Sequence, residues 1–169
     1  AEPVFVFATP HLRQRCRYGS KKHHMKPTKN RKQSTGKIKA AALKLIATKG
    51  YANASLEEIA NKAGFTKGAV YYHFKSKKRL ILEILHDIEF RSLELLLQEL
   101  AHTEESAKNK LFHFVNFQAK WAAKHPDDIG VLIMMSISCT YLDSEIHQKI
   151  EGSYGKLTRM LTEIISEGV

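Results

Sequence analysis

The chain has 169 residues, a net charge of +10 and 43% hydrophobic residues, which allows one domain, or a small module fused to a larger one, with a real core. No apolar run approaches the roughly 18 residues of a membrane-spanning helix, and two cysteines, Cys16 and Cys139, are too few for a disulfide framework or a zinc site. These features argue against an integral membrane protein and a disulfide-stabilised secreted protein, and they predict a cytoplasmic location.

The charge is unevenly distributed along the chain. Residues 1–80 contain 19 Lys and Arg against 3 Asp and Glu, whereas residues 81–169 contain 8 against 14. A basic half is typical of proteins that bind a phosphate backbone or an anionic membrane surface, and the acidic second half fits neither partner. We therefore expect the two halves to have different roles.

The first 33 residues are predicted to form a disordered basic arm. They show no helical period, and from His11 to Lys32 they consist mainly of Arg, Lys, His and polar residues. Helical periodicity begins at Gly36 and defines a first helix that is expected to end at Gly50, where glycine supplies a left-handed stop.

Two short helices follow. Ser55 and Glu58 form an S-x-x-E capping box at the start of the second helix, and Gly64 ends it. The third helix, Thr66–Phe74, completes a helix-turn-helix pattern, in which the later helix lies in the major groove of DNA. Val70 and Phe74, one turn apart, are expected to face the core and leave the other faces exposed.

The exposed faces of the third helix carry side chains that suit DNA. Lys67 can reach a guanine edge or a phosphate, and Gly68 lets the start of the helix approach the nucleic acid closely. The hydroxyls of Tyr71 and Tyr72 can bond to phosphates, and His73 can donate to one. Tyrosine pairs also occur in cores, and basic runs are commonly solvated, but neither alternative accounts for this ordered combination.

Ser76 is expected to cap a long fourth helix whose first turn holds Lys77, Lys78 and Arg79. The helix dipole disfavours each cation there by about 0.3–1 kcal/mol. A bound anion would reverse that penalty, so we expect a phosphate at this turn.

The rest of the chain is predicted to be helical, which gives an all-α protein with about seven helices. The segment 129–141 is almost wholly apolar and is expected to be a buried helix. Its β-branched content would permit a strand, but the sequence offers no partner strand. The three later helices are predicted at 107–125, 129–141 and 143–167.

The stretch from Ala42 to Asp87, ALKLIATKGYANASLEEIANKAGFTKGAVYYHFKSKKRLILEILHD, resembles the N-terminal domain of the TetR-type (TetR/AcrR) transcriptional regulators. The resemblance implies an N-terminal three-helix bundle with a helix-turn-helix at 34–80 and a helical ligand-binding and dimerisation domain at 81–169. It also implies a homodimer on a palindromic operator in double-stranded DNA. By matching position, the implied DNA contacts are Ser55, Thr66, Lys67, Gly68, Ala69, Tyr71, Tyr72, His73, Lys75 and Lys77.

The resemblance further implies a repressor that a small molecule releases from its operator. The apolar and aromatic content of the second half favours a hydrophobic effector, although most of the candidate side chains also fit an ordinary core. The candidates for the effector pocket are Phe114, Phe117, Trp121, Met134, Met135 and Tyr141.

Two departures from the family pattern affect these expectations. Arg79 stands where the family often has an acidic residue, which should strengthen phosphate binding and weaken the isolated helix. The chain ends at ISEGV, where the family usually continues with two dimerisation helices. An incomplete second domain and a weakened homodimer are therefore expected, and the alternative is a truncated fragment that keeps the DNA-binding fold without competent repression.

Other classes of function fit the sequence poorly. It has no His-x-x-x-His motif, no glycine-rich phosphate loop after a strand and no nucleophile elbow, so we predict no enzyme activity, no cofactor and no metal. A peripheral membrane protein would need a basic amphipathic helix, and residues 11–32 lack the apolar face of one.

Overall fold

The computed structural model describes residues 29–100, 105–138 and 143–168, and the regular structure within these ranges is entirely helical. The prediction of an all-α protein is confirmed. No helix in these ranges is both long and apolar enough to cross a membrane. The elements are α1 Lys29–Asn53, α2 Leu56–Ala63, α3 Lys67–Phe74, α4 Lys77–Glu89, a π-helical segment Phe90–Glu94, α5 Leu95–Leu100, α6 Ala107–Lys124, α7 Pro126–Ile137 and α8 Ser144–Glu167.

The first helix is longer than hydrophobic periodicity predicted. It begins at Lys29, and the good helix formers Arg31, Lys32 and Gln33 precede the first buried position. The hydroxyls of Ser34 and Thr35 each donate to a carbonyl one turn earlier, at 3.0 Å. The end of the predicted arm is therefore helical, and residues 1–28 lie outside the described residues.

Gly50 interrupts α1 close to its end. Its backbone has φ +78° and ψ 163°, a conformation that glycine adopts without the steric cost that a side chain would add. The chain changes direction there and makes one more short turn, Tyr51–Asn53, before α2.

Side-chain caps fix the starts of α2, α3 and α4. Ser55 Oγ accepts from the backbone N–H of Glu58, and the Glu58 carboxylate accepts from the N–H of Ser55, both at 3.1 Å. Thr66 and Ser76 likewise accept a backbone N–H three residues further on, at 3.2 and 3.1 Å. Because the caps depend on local sequence, all three starts agree with the prediction.

The predicted long fourth helix is continuous but irregular. α4 runs through the π-helical segment Phe90–Glu94 into α5. The wider turn alters the regular hydrogen-bond pattern, and Gln118 of α6 donates to the carbonyl of Ser92 at 2.9 Å. This contact joins α6 to the irregular turn.

The apolar segment after α6 is less buried than the sequence suggested. Pro126 is the first residue of α7, a position where its missing N–H costs nothing. Val131 and Met135 are fully buried, but Ile133 and Ile137 on the opposite face are largely exposed. The predicted buried helix is therefore an amphipathic one.

One apolar core connects the first three helices to the second half of the chain. Ile38 and Ile46 of α1, Val70 of α3 and Ile81 of α4 pack in the same cluster as Ile146 of α8. A smaller second cluster surrounds Leu93, Leu96, Met160 and Ile164.

α1 and α7 come into close contact because one of the facing residues is glycine. A Cβ atom built on Gly130 would lie 2.9 Å from Ala47 Cβ, whereas a Cβ atom on Gly152 of α8 would meet nothing within 4 Å. The contact therefore depends on the absence of a side chain at Gly130.

We expect Gly130→Ala to destabilise the protein by about 1 kcal/mol, because overpacking costs about 1–3 kcal/mol and the gain in helix propensity offsets about 1 kcal/mol of it. The matched control Gly152→Ala should stabilise it by about 0.5–1 kcal/mol. Urea unfolding followed by circular dichroism measures both changes. Stabilisation by both variants would contradict the close contact.

Candidate nucleic-acid interface and ligand cavity

A tight turn and two buried side chains orient α3. Gly64 ends α2 with φ +75°, and the N–H of Phe65 donates to the carbonyl of Ala60 at 2.9 Å. Val70 and Phe74 are 0% and 2% exposed, as predicted. These anchors direct the remaining faces of α3 into solvent.

The exposed part of α3 carries aromatic and basic groups. Tyr71 and Tyr72 are 58% and 66% exposed, although large aromatic side chains are usually buried. The Lys67 ammonium lies 3.7 Å from the Glu57 carboxylate, and both side chains are largely exposed. Lys75 ends the helix with φ +64°, and its ammonium lies 5.2 Å from the centre of the Tyr72 ring.

The structure brings the predicted contact residues together around α2 and α3, with different degrees of exposure. Ala69, His73 and Lys77 are partly buried. The exposed members are Ser55, Thr66, Lys67, Gly68, Tyr71, Tyr72 and Lys75.

Lys77 has an internal partner. Its ammonium donates to the carbonyl of Tyr51 at 2.7 Å and lies 4.3 Å from the centre of the Tyr51 ring. Burial lowers the pKa of Lys77. The side chain thus fixes the end of α1 against the start of α4, a long-range contact that the sequence did not indicate.

Lys78 also has internal partners. Its ammonium lies 3.1 Å from Asp143 and 2.8 Å from Glu145 at the start of α8, and the hydrogen bond from Lys78 lowers the pKa of Asp143. The exposed Arg79 makes no ion pair with any described residue. Of the three cations expected to meet a phosphate at this turn, two therefore bind within the protein.

The longer α1 includes basic side chains from the end of the predicted arm. Arg31 and Lys32 line a shallow depression together with Thr35 and His73. The buried Nδ1 atom of His73 makes no hydrogen bond to a described residue. The good helix formers at positions 31–33 were the available indication of this extension.

The capping box at α2 is coupled to α1 by charge. The Lys49 ammonium lies 2.7 Å from the Glu58 carboxylate, and this hydrogen bond, followed by that from the Ser55 backbone, lowers the pKa of Glu58 to about 2. Glu58 therefore stays ionised and keeps the start of α2 in place at all but very low pH.

A cavity of about 180 Å³ is lined by five elements, which are α4, the π-helical segment, α6, α7 and α8. Its wall is mainly apolar and includes Leu85, Ile88, Leu132 and Ile150. Among the residues predicted for an effector pocket, Trp121 lines this cavity.

The other predicted pocket residues lie elsewhere. Met135 is in the main core and Phe114 packs on the second cluster, whereas Phe117 contacts both. The methyl group of Met134 lies 3.2 Å from the Cβ position of Gly50. Tyr141 lies outside the described residues.

Polar side chains interrupt the apolar wall. Glu89, which is buried, binds both Lys149 and Lys156, the latter at 2.8 Å. Burial raises the pKa of Glu89, but the hydrogen bonds and charges of the two lysines outweigh it and leave that pKa lowered. Lys156 also binds Glu94 at 2.7 Å. The cluster contains two acids and two bases that neutralise one another.

The polar atoms of the wall differ in hydrogen bonding. Gln118, Ser153 and Tyr154 bond to protein atoms, whereas the buried Nε1 atom of Trp121 makes no hydrogen bond to a described residue. Across the ranges that the structure describes, no group of three or more His, Cys, Asp or Glu side chains could hold a metal ion.

Comparison with known proteins gives a family match that includes the helix-turn-helix. Residues 38–84 match the family described as bacterial regulatory proteins, tetR family. The HTH-type transcriptional regulator AcrR of Shigella flexneri is 43% identical over 74 residues, which are 42% of this chain and 34% of that protein. The chain thus spans about a third of the length of this relative.

Two solved structures are similar over most of the chain. The MbdR regulator from Azoarcus sp. CIB has a TM-score of 0.72 and 28% identity, and the alignment covers 80% of this chain and 70% of that one. A transcriptional regulator from Saccharomonospora viridis, determined in complex with choline, has a TM-score of 0.69 and 26% identity over 81% and 70% of the two chains. These matches are to regulators and confirm the predictions of the fold and of a non-enzymatic protein.

We expect Lys77→Ala to destabilise the protein by about 1–2 kcal/mol, because the carbonyl of Tyr51 loses a charged hydrogen-bond donor. Arg79→Ala is the matched control, because Arg79 lies two residues further along α4 and is exposed. It should change stability by no more than about 0.5 kcal/mol. Thermal unfolding compares the two variants. Equal stability of both would mean that the contact of Lys77 contributes nothing to the fold.

Proposed function

We propose that this chain, whose residues 38–84 match the tetR family of bacterial regulatory proteins, is a transcriptional regulator that binds double-stranded DNA through α3. The observation that carries the proposal is the orientation of α3. Two buried anchors hold one face in the core, and the opposite faces present Lys67, Tyr71 and Tyr72 to solvent.

The surroundings of α3 suit a nucleic-acid backbone. Thr66 caps the helix, and the free N–H groups of its first turn can donate to a phosphate. Arg31 and Lys32 extend the basic surface on the side of His73, and Arg79 extends it from α4. Side chains of α3 would contact base edges, and these flanking groups would contact phosphates.

We propose that a homodimer binds a palindromic operator, since two half-sites require two correctly spaced recognition helices. A face shared by two copies should be apolar. The exposed face of α7, with Ile133 and Ile137 one turn apart, has this character.

The cavity supports the proposal of a repressor that a small apolar effector releases. Its wall is formed by α4, which carries the DNA-binding unit at its start, and by α8, which binds the start of α4 through Lys78 and Asp143. A ligand that moves α4 relative to α8 would therefore change the position of α3. The choline complex of the Saccharomonospora viridis protein shows that this similar protein binds a small molecule. A cytoplasmic location, where DNA is accessible, follows from this proposal.

We expect Lys67→Ala to weaken binding to an operator duplex about tenfold and to reduce the salt dependence of binding by about one counterion. Stability should change little, because the Lys67–Glu57 pair is exposed. Lys120→Ala is the matched control, because it removes an exposed lysine of α6, outside the helix-turn-helix. Fluorescence anisotropy at several salt concentrations provides the measurement.

An operator fragment for this test can be selected from random duplexes. Equal affinities for the two variants would contradict the proposed interface. Failure of the unmodified protein to bind any duplex at low salt would contradict the proposed function itself.

A further inference from the structure

We propose that Glu57 and Lys67 read one G·C base pair of the operator together: Lys67 donates to the guanine, and Glu57 accepts from the amino group of its cytosine. The inference rests on the proposed function, which is the binding of double-stranded DNA through α3. It assigns a specificity-determining role to Glu57, which the sequence did not place among the DNA contacts.

The two side chains meet on the exposed side of the helix-turn-helix. The Lys67 ammonium lies 3.7 Å from the Glu57 carboxylate, and the side chains are 66% and 67% exposed. Lys67 is the first residue of α3, and Glu57 is in the first turn of α2. The N-terminal residues of a recognition helix are those that contact base edges. The pair therefore lies where bases are read.

The fold has little need of the Glu57–Lys67 pair. An exposed ion pair contributes about 0–1 kcal/mol to stability. The other acid of α2, Glu58, completes the capping box with Ser55 and also binds Lys49 at 2.7 Å. Glu58 is thus occupied, whereas the exposed Glu57 carboxylate has the capacity to accept from a further donor.

A carboxylate on a DNA-binding surface is unfavourable unless the DNA supplies a donor, because the phosphates repel it. Residues 67–74, which form α3, include no acid. The donors that DNA presents in its major groove are the amino groups of bases, and the usual partner of a glutamate there is cytosine N4. A base, not the backbone, is therefore the partner that Glu57 requires.

One G·C pair satisfies both side chains. Guanine presents the acceptors N7 and O6 in the major groove, and its cytosine presents the N4 amino group beside them. An ammonium next to a carboxylate has the complementary order of donor and acceptor. In an A·T pair the amino group lies between two acceptors, adenine N7 and thymine O4, which would repel the carboxylate.

The first test compares the base preference of the full chain with that of Glu57→Met, which keeps the length of the side chain and removes its acceptor. Selection from random duplexes identifies the preferred site of each protein. Replacing the G·C pair by A·T should weaken binding by the unmodified protein about tenfold and binding by Glu57→Met about twofold. Unrelated duplexes should bind more tightly to the variant, because it lacks a negative charge.

Glu163→Met is the matched control, because it removes an exposed acid of α8, outside the helix-turn-helix. It should leave the base preference unchanged. Fluorescence anisotropy with the selected duplexes provides the affinities.

Base analogues assign the partner of each side chain. 2-Pyrimidinone lacks the amino group of cytosine, and 7-deazaguanine lacks the N7 atom of guanine. Placed in the selected G·C pair, 2-pyrimidinone should weaken binding by the unmodified protein about tenfold, since a hydrogen bond to a charged group is lost. It should have little effect on Glu57→Met. 7-Deazaguanine should likewise weaken the unmodified protein and have little effect on Lys67→Met.

These comparisons form double-mutant cycles, in which the different stabilities of the modified duplexes cancel. Equal penalties from 2-pyrimidinone in the unmodified protein and in Glu57→Met would overturn the proposal. Tighter binding of Glu57→Met to all duplexes, with an unchanged base preference, would also overturn it, because Glu57 would then only neutralise Lys67.

The reading of a G·C pair and the proposed function can fail separately. If the unmodified protein binds its selected duplex and Glu57→Met keeps the same preference, DNA binding stands and the role of Glu57 is wrong. If the unmodified protein binds no duplex at low salt, both proposals are wrong.

Discussion

The close packing of α1 on α7 is the constraint on which the rest of the structure depends. Gly130 allows α7 to approach Ala47 of α1, and Val131 and Met135 then enter the same core as Ile38 and Ile46. Because α1 also packs on α2, which lies beside α3, the same helix connects the DNA-binding unit to the second half of the chain. The two halves are parts of one packed body.

The features that could be predicted from the sequence are local ones. The capping residues Ser55, Thr66 and Ser76 determine where three helices start, and their partners lie three residues away. The spacing of Val70 and Phe74 likewise determines which side of α3 is buried. Fold class and the exposed face of α3 followed from such short-range patterns.

The features that could not be predicted are contacts between distant parts of the chain. Lys77 finds its carbonyl partner 26 residues away, and Lys78 finds Asp143 at a separation of 65 residues. A run of three cations therefore looked like a phosphate site, although two of them stabilise the fold. Apart from Trp121, the cavity wall was missed for the same reason, since Glu89, Gln118 and Lys149 come from three different helices. Hydrophobicity alone selected core residues such as Met135 instead.

The π-helical segment takes up one extra residue and preserves the rotational phase between the two parts of the fourth helix. A π turn is produced by one residue more than a regular helix needs, and each residue rotates an α-helix by about 100°. Leu85 and Ile88 before the segment and Leu93 within it line the same cavity, while Leu96 beyond it belongs to the second cluster. Because the wider turn takes up this residue locally, losing one residue between Phe90 and Glu94 would restore a regular helix and leave α5 with nearly the same side chains toward α8. A relative without this residue would thus differ in the cavity wall at Ser92 and Leu93 while keeping the same α5 and the same DNA-binding unit.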